Sequence, residues 1–319
     1  MRITRLAPSP TGALHLGNAR TFLVNWLLAR QNGWRIILRI EDLDGPRIKR
    51  GADQQAIDDL RWLGIDWDEG PVYQSHRRGL YAEATLRLFS AGTGYACICT
   101  RKEVDLAASA PHAEDGGAVY PATCRGRFAR IDDARRAGGR EPAIRFNVGD
   151  QHVEFIDAFH GPQRFDMSTL GDFVIEKADR TPAYQLAVVV DDADLGITDV
   201  VRGDDLLDST PRQILLYRAL GMEDRIPTYY HLPLVIGPDG RRLAKRHGDT
   251  RLATYREAGI PAARVLTLLA SWSGIENIED KVRTASDLVG QFDLSRLPRT
   301  PIVFDPGGDA ALRLESRRP

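Results

Sequence analysis

Cysteine, net charge and long apolar runs are what this 319-residue sequence has little of. Its three cysteines are an odd number and too few for the disulfide framework of a small secreted chain. Lys and Arg nearly balance Asp and Glu, leaving a formal net charge of −1. No overall field draws in nucleic acid, so such a partner must be met by local basic patches. Candidates are Arg101 with Lys102, the series Arg125, Arg127, Arg130, Arg135, Arg136 and Arg140, and Arg241-Arg242 with Lys245-Arg246. No apolar run approaches the ~18 residues of a membrane span. The start Met1-Arg-Ile-Thr-Arg5 lacks an apolar leader core, so a cytoplasmic protein with no membrane partner is expected. There is no internal repeat. A hydrophobic fraction of 43% with 27% charged residues suits a globular protein, and the length favours about two domains.

The segment Arg5-Leu-Ala-Pro-Ser-Pro-Thr-Gly-Ala-Leu-His-Leu-Gly17 reads as a buried strand entering a stiff turn that opens a helix. Pro8 and Pro10 keep the chain extended, while Gly12 and Gly17 let backbone approach a ligand. Phe22, Leu23, Trp26 and Leu27 share one face of the stretch from Ala19 to Gln31, so the helix N-terminus and His15 point at one anion. Downstream, Gly237-Pro-Asp-Gly-Arg-Arg-Leu-Ala-Lys-Arg-His-Gly248 follows the apolar run His231 to Ile236, a turn carrying a basic loop centred on Lys245.

All three cysteines fall in one window, Cys97-Ile-Cys99 and Cys124. Two thiolates one residue apart and a third across a loop make three corners of a tetrahedral zinc site that lacks its fourth ligand. By ligand chemistry alone, His112 is the candidate. Further along, Gly196 to Val201 reads as a buried parallel strand with Arg202-Gly203 at its carboxyl end, where ligands bind in open α/β sheets. Arg202 there could equally pair with Asp204 or Asp205. Thr210-Pro-Arg-Gln213 reads as a capping box with Pro at the first helical position of a helix that Gly221 ends.

His15-Leu-Gly-Asn18 resembles the ATP-binding signature of class I aminoacyl-tRNA synthetases, with Asn18 in place of the last histidine, a variant of the glutamyl and glutaminyl branch. Arg242-Leu-Ala-Lys-Arg246 is similar to the second class I signature, with Ala244 where the family usually has serine. Pro182 to Ala193 and Gly196 to Gln213 carry the most specific likeness. The resemblance implies ATP as substrate with Mg²⁺, phosphates held by His15, Gly17, Asn18 and Lys245, and His15 and Lys245 as catalytic groups. A dicarboxylic amino acid needs two cationic clamps, an anion for its ammonium and a polar donor. Arg5, Arg202, Glu41 and Tyr184 match the family's glutamate site, and the resemblance extends the contact through Leu6, Ala7, Pro8 and Ser9. Asp42 and Asp44 read as loop caps.

Tyr120-Pro-Ala-Thr-Cys124 resembles a rarer zinc arrangement, in which a tyrosine four residues before the last cysteine completes the site. It points to the truncated paralogues of glutamyl-tRNA synthetase that esterify the queuosine base of tRNA(Asp). One structural zinc on Cys97, Cys99, Tyr120 and Cys124 is then implied, and a monomeric enzyme is expected. The short stretch after Lys245 has room for a small helical appendage, not for a large anticodon-reading region.

The expected architecture is α/β, a Rossmann-like class I synthetase catalytic domain with a zinc-bearing insertion. Residues 1–92 form the first catalytic half, with strands near Ile3 to Ala7 and Trp34 to Ile40 and a helix from Gly51 to Leu63. Residues 93–172 form the insertion, with short strands at Ala143 to Phe146 and His152 to Asp157. Residues 173–250 form the second half with the lysine loop. Residues 251–319 form a mainly helical appendage with a helix at Ala262 to Trp272.

Overall fold

The computed structural model describes residues 1–43, 45–100, 102–104, 119–241, 243, 248–278 and 281–307. Strand β1 (Ile3–Leu6) runs into helix α1 (Leu16–Asn32), followed by β2 (Arg35–Ile40), α2 (Ala52–Trp62), β3 (Glu69–Tyr73) and α3 (Arg78–Ser90). β1 and β3 flank β2 in parallel, with Ile3 opposite Arg35 and Leu6 opposite Leu38. Apart from Arg35, β2 is buried throughout its length, as a parallel strand covered on both faces must be. Gly33, at φ 65°, ends α1 in the left-handed conformation that a Cβ disfavours.

The middle of the chain supplies β4 (Gly94–Cys97), α4 (Ile131–Gly138), β5 (Ala143–Phe146), β6 (His152–Asp157), β7 (Gly161–Asp166) and β8 (Phe173–Glu176). Next come α5 (Tyr184–Asp194), β9 (Asp199–Gly203), α6 (Ser209–Ala219), β10 (Thr228–Leu232) and β11 (Val235–Ile236). β9, β10 and β6 are parallel neighbours, and β7 closes the edge as a hairpin with β6. β9 lies against β1: Thr198 N–H donates to the Ile3 carbonyl at 2.9 Å and Ile3 N–H to the Thr198 hydroxyl at 2.8 Å. The two parallel sets thus meet at β1 and β9, and the chain leaves in opposite directions from that line. Such a switch point opens a crevice at the carboxyl ends of the two strands.

Strand pairing crosses the boundary expected at residue 172. β8 is antiparallel to β5 in a sheet ordered β4-β5-β8, with the Phe146 and Phe173 rings stacked at 5.3 Å. β6, inside the interval of the insertion, joins the parallel sheet through β10. The tail, α7 (Leu252–Glu257), α8 (Ala262–Ser271) and β12 (Ile302–Val303), is not a separate lobe. Val265, Leu266, Leu269 and Ala270 of α8 enter the same core as Leu16, Leu23, Val24 and Leu27 of α1. This covering explains why α1 is buried nearly all round rather than on one face, with Phe22 only partly buried. Arg20 of α1 fastens the tail, donating from Nε to the Trp272 carbonyl at 3.1 Å and from Nη1 to the Pro233 carbonyl at 2.5 Å. Among the described residues, no helix is long and apolar enough to cross a membrane.

Asp59 of α2 is fully buried against α7, with Arg256 Nη1 3.2 Å from Oδ1. Burial pushes its carboxyl up to about 6, more than Arg256 pulls it down. A raised acid contributes stability that is fully present below the ordinary carboxylate range and lost as pH rises through about 6. Asp59→Asn is therefore expected to be more stable than the parent in urea denaturation near pH ~7.5, the advantage fading toward pH ~4. An advantage of equal size at both pH values would contradict this account.

Candidate active site and metal centre

The turn after β1 is pinned from both sides. Glu41 N–H donates to the Pro8 carbonyl and Lys49 N–H to the Pro10 carbonyl, each at 3.0 Å. Leu16 N–H donates to the Thr250 carbonyl at 3.0 Å and Leu252 N–H to the Leu14 carbonyl at 2.9 Å, so the segment following the basic loop is paired to the signature. His15 is the N-cap of α1. Its Nδ1 accepts from Asn18 N–H and its own N–H donates to Asn18 Oδ1, both at 3.4 Å. This reciprocal box gives Asn18 a structural reason and leaves Nε2 as the donor atom of the neutral ring. A Cβ on Gly17 would stand 3.2 Å from the His15 ring, so glycine keeps that ring in place.

A cleft of about 530 Å³ opens at the switch point. Arg5, Ala7, Pro8, Ser9, His15, Gly17, Asn18, Glu41, Tyr184 and Arg202 all line it. Leu6 does not: strand alternation turns its side chain away, wholly buried in the core. Tyr184, the first residue of α5, is 40% exposed at the rim. A second cavity of about 850 Å³ adjoins at Gly12, Ala13 and His15, with Lys49, Arg50, Arg251 and Arg256 on its walls. Lys245, Arg242, Ala244 and Arg246 lie outside the described residues, as do Arg101, His112 and Asp44.

The floor of the cleft is ionic. Arg39 of β2, completely buried, donates from Nη1 to Asp192 Oδ1 and from Nη2 to Glu41 Oε1, the latter at 2.9 Å. Burial alone would lower its pKa, but Asp192, Glu41 and Asp191 together raise it well above the ordinary value. Arg5 shares Asp192, Nε to Oδ1 at 3.6 Å, and donates from Nη1 to the Val201 carbonyl at 3.3 Å. Here burial wins and holds the guanidinium below its usual value despite Asp192.

On the opposite wall Arg202 contacts neither Asp204 nor Asp205. Nε donates to His231 Nε2 at 3.0 Å and Nη2 to the Thr210 hydroxyl at 2.8 Å. Thr210 is therefore not the cap its spacing suggests: α6 starts at Ser209 behind Asp208, with no side-chain cap, and Pro211 is its third residue. The register of β9 and β10 sets Arg202 directly opposite His231. No short motif marks His231 or Asp157, although a histidine at the head of the apolar run His231 to Ile236 is a signal of a buried polar contact.

Cys97, Cys99 and Cys124 place their sulfurs within 4.8 Å of one another. The Cys99 and Cys124 sulfurs are 3.6 Å apart, and Tyr120 Oη lies 3.3 Å from the Cys97 sulfur and 3.5 Å from that of Cys99. Tetrahedral zinc with Zn–S near ~2.3 Å and Zn–O near ~2.0 Å sets such edges at ~3.5–3.8 Å, so the cluster is of a size to hold zinc. Arg145 donates from Nε to the Cys97 sulfur at 3.3 Å and stacks 3.8 Å from the Tyr120 ring centroid, a cation beside groups that become anionic when they bind a metal. Burial, with the neighbouring Cys97, pushes the Cys99 thiol up to about 11, a shift that a bound cation reverses. Four arginines of the nearby series are paired: Arg125 with Asp172, Arg135 with Asp132 and Glu141, Arg136 with Asp133 and Arg140 with Glu103.

A family model described as tRNA synthetases class I (E and Q), catalytic domain, matches residues 2–306. A protein of Symbiobacterium thermophilum named glutamyl-Q tRNA(Asp) synthetase is 51% identical over 317 residues, 97% of this chain and 97% of that protein. The glutamate–tRNA ligase 1 of Alkalilimnicola ehrlichii is 42% identical over 306 residues, 95% of this chain and 63% of the ligase. Among solved structures, a glutamate tRNA ligase from Elizabethkingia meningosepticum, in complex with its amino acid, is similar with a TM-score of 0.81 at 29% identity. The likeness covers 99% of this chain and 69% of that one.

Asp192 is the shared anion of the cleft floor, and its removal takes from buried Arg5 its carboxylate partner and leaves buried Arg39 with Glu41 alone. Asp192→Ala is expected to cost ~3–5 kcal/mol in urea denaturation, well above a surface substitution. A loss no larger than ~0.5 kcal/mol would show that solvent or another group neutralises them.

Proposed function

Because the chain belongs to the class I tRNA synthetases of the E and Q type, we propose that it activates glutamate with ATP and transfers it to the queuosine base of tRNA(Asp). The observation that carries this reading is the cleft itself, which brings Arg5, Arg202, Glu41 and Tyr184 around one space beside His15 and the α1 N-terminus. Higher identity to the relative named glutamyl-Q tRNA(Asp) synthetase than to the glutamate–tRNA ligase favours the queuosine acceptor over the 3′ end of tRNA(Glu). A tyrosine at the cysteine cluster supports the same choice.

Arg5 and Arg202 bind the two carboxylates of glutamate, Glu41 takes its ammonium and Tyr184 donates a hydrogen bond, with the backbone from Arg5 to Ser9 along one side. The α-carboxylate oxygen attacks the α-phosphorus of ATP in line, and the bond to the departing pyrophosphate breaks. Positioning and charge stabilisation do the work, with no nucleophilic side chain needed. His15, Gly17 and Asn18 hold phosphate oxygens at the helix N-terminus, and Lys245 neutralises the charge that grows on pyrophosphate. Mg²⁺ enters with ATP as part of the substrate. A queuosine hydroxyl then attacks the glutamyl carbonyl and releases AMP. All of this suits a monomer in the cytoplasm, where tRNA resides.

Cys97, Cys99, Cys124 and Tyr120 would hold one zinc ion, which when bound crosslinks the end of β4 to the loop before α4. Metal analysis of untagged protein is expected to give one zinc per chain. Tyr120→Phe should lower its retention and His112→Ala should not. Loss only in the His112 variant would transfer the fourth position to that residue.

Pyrophosphate exchange tests the activation step: glutamate should support it without RNA, and exchange with glutamine instead would overturn the substrate. Incubation with ATP, labelled glutamate and each tRNA, with and without queuosine, then locates the acceptor by nuclease mapping. Label in the anticodon loop of tRNA(Asp) is expected. Label on the terminal adenosine of tRNA(Glu) would make the protein a short glutamyl-tRNA synthetase.

A further inference from the structure

Arg202 differs from the other two arginines of the cleft. Arg39 and Arg5 are held by carboxylates, whereas among the described residues no carboxylate lies within ion-pair distance of Arg202. Its guanidinium is 5% exposed, fixed by His231 through Nε and by Thr210 and the Leu206 carbonyl through Nη2, while Nη1 is buried with no hydrogen-bond partner. A guanidinium only donates, so His231 Nε2 must accept. The ring proton therefore sits on Nδ1, 2.7 Å from Asp157 Oδ2.

Asp157 is itself immobilised. It accepts from the N–H groups of Phe159 at 2.9 Å, His160 at 2.8 Å and His231 at 3.2 Å. Burial works to raise its carboxyl, but these bonds and the imidazole hold it below the usual range, and burial keeps His231 neutral by lowering its pKa. Asp157, His231 and Thr210 are each no more than 1% exposed. The anion therefore reaches Arg202 only through a neutral ring: it orients the guanidinium without neutralising it.

We infer that His231, locked in one tautomer by Asp157 and assisted by Thr210, is a positioning residue that aims the unpartnered Nη1 of Arg202 at a carboxylate of the amino-acid substrate. The inference rests on the reading of the cleft as a glutamate site. It gives the Thr210 motif and the histidine of β10 a role in substrate binding rather than in capping or packing. Each group is already ordered before substrate arrives, so binding does not have to freeze a long side chain.

Calorimetric titration of the full-length protein with L-glutamate and, separately, with ATP tests it. His231→Phe keeps the ring volume but removes the acceptor, and is expected to weaken glutamate binding about 10- to 100-fold, with ATP affinity changed less than about twofold. His231→Gln, whose amide oxygen can accept from Nε, should recover most of the loss. Asp157→Asn presents an amide donor to Nδ1, driving the ring proton to Nε2 against Arg202, and should weaken glutamate with the ring intact. In pyrophosphate exchange these changes should appear in KM for glutamate more than in kcat. If His231→Phe does not fold, Asp157→Asn and Thr210→Val carry the comparison. Unchanged glutamate affinity in the folded variants would overturn the inference, as would equal losses for glutamate and ATP. Absence of glutamate binding by the parent protein would instead overturn the reading of the cleft, and the inference with it.

Discussion

One carboxylate, Asp192, holds the floor of the cleft together. It is buried on α5 and faces Arg39 from β2 and Arg5 from β1, so a helix of the second half neutralises two arginines of the first. Burying such charges is costly unless the geometry and extra hydrogen bonds offset the lost hydration. Here they are supplied by Glu41 for Arg39 and by the Val201 carbonyl for Arg5. The next aspartate, Asp191, does the same for a different set, accepting from Gln74, Arg77 and Tyr81. A single turn of α5 therefore fixes both the floor of the site and the docking of the segment around α3.

With that floor in place, the switch point becomes a usable site. β1 and β9 bring Arg5 and Arg202 to the same crevice from opposite directions of the chain, and α1 starts at its edge with His15 as cap. The segment 250–252 is paired to the signature turn, so the end of the basic loop is anchored beside His15 even though the two are far apart in sequence. The tail adds stability to this arrangement by covering α1. Its apolar residues complete the core that the first half leaves open, and Arg20 ties the two through backbone carbonyls.

The cysteine cluster lies in a different part of the molecule. The β4-β5-β8 sheet is small, and a zinc ion on Cys97, Cys99, Tyr120 and Cys124 would tether the loop before α4 where apolar burial is limited to a few residues. Arg145, reaching from β5 to both the Cys97 sulfur and the Tyr120 ring, supplies positive charge next to ligands that must lose protons to bind.

Local chemistry was enough to read β1, β2, the helix from 52, the strands at 143–146 and 152–157, and the helix from 262. Each follows from an apolar period bounded by a glycine or proline. The cysteine window and the signature turn were legible for the same reason, since their meaning lies in short spacing. What lay beyond local reading were choices made by distant partners. β8 joins β5 because two phenylalanine rings stack across that edge, which no feature of Phe173 to Glu176 by itself dictates. Leu6 faces the core while Arg5 and Ala7 face the cleft, a matter of strand phase. Thr210 has the spacing of a cap, yet its hydroxyl is taken by Arg202, because parallel strands bring a guanidinium within reach across the sheet. Sequence by itself determined which groups are available and the local turns that carry them. Tertiary structure decided which of them share a partner, because the energy of a buried charge depends on what lies within a few ångströms in space and not on its neighbours along the chain.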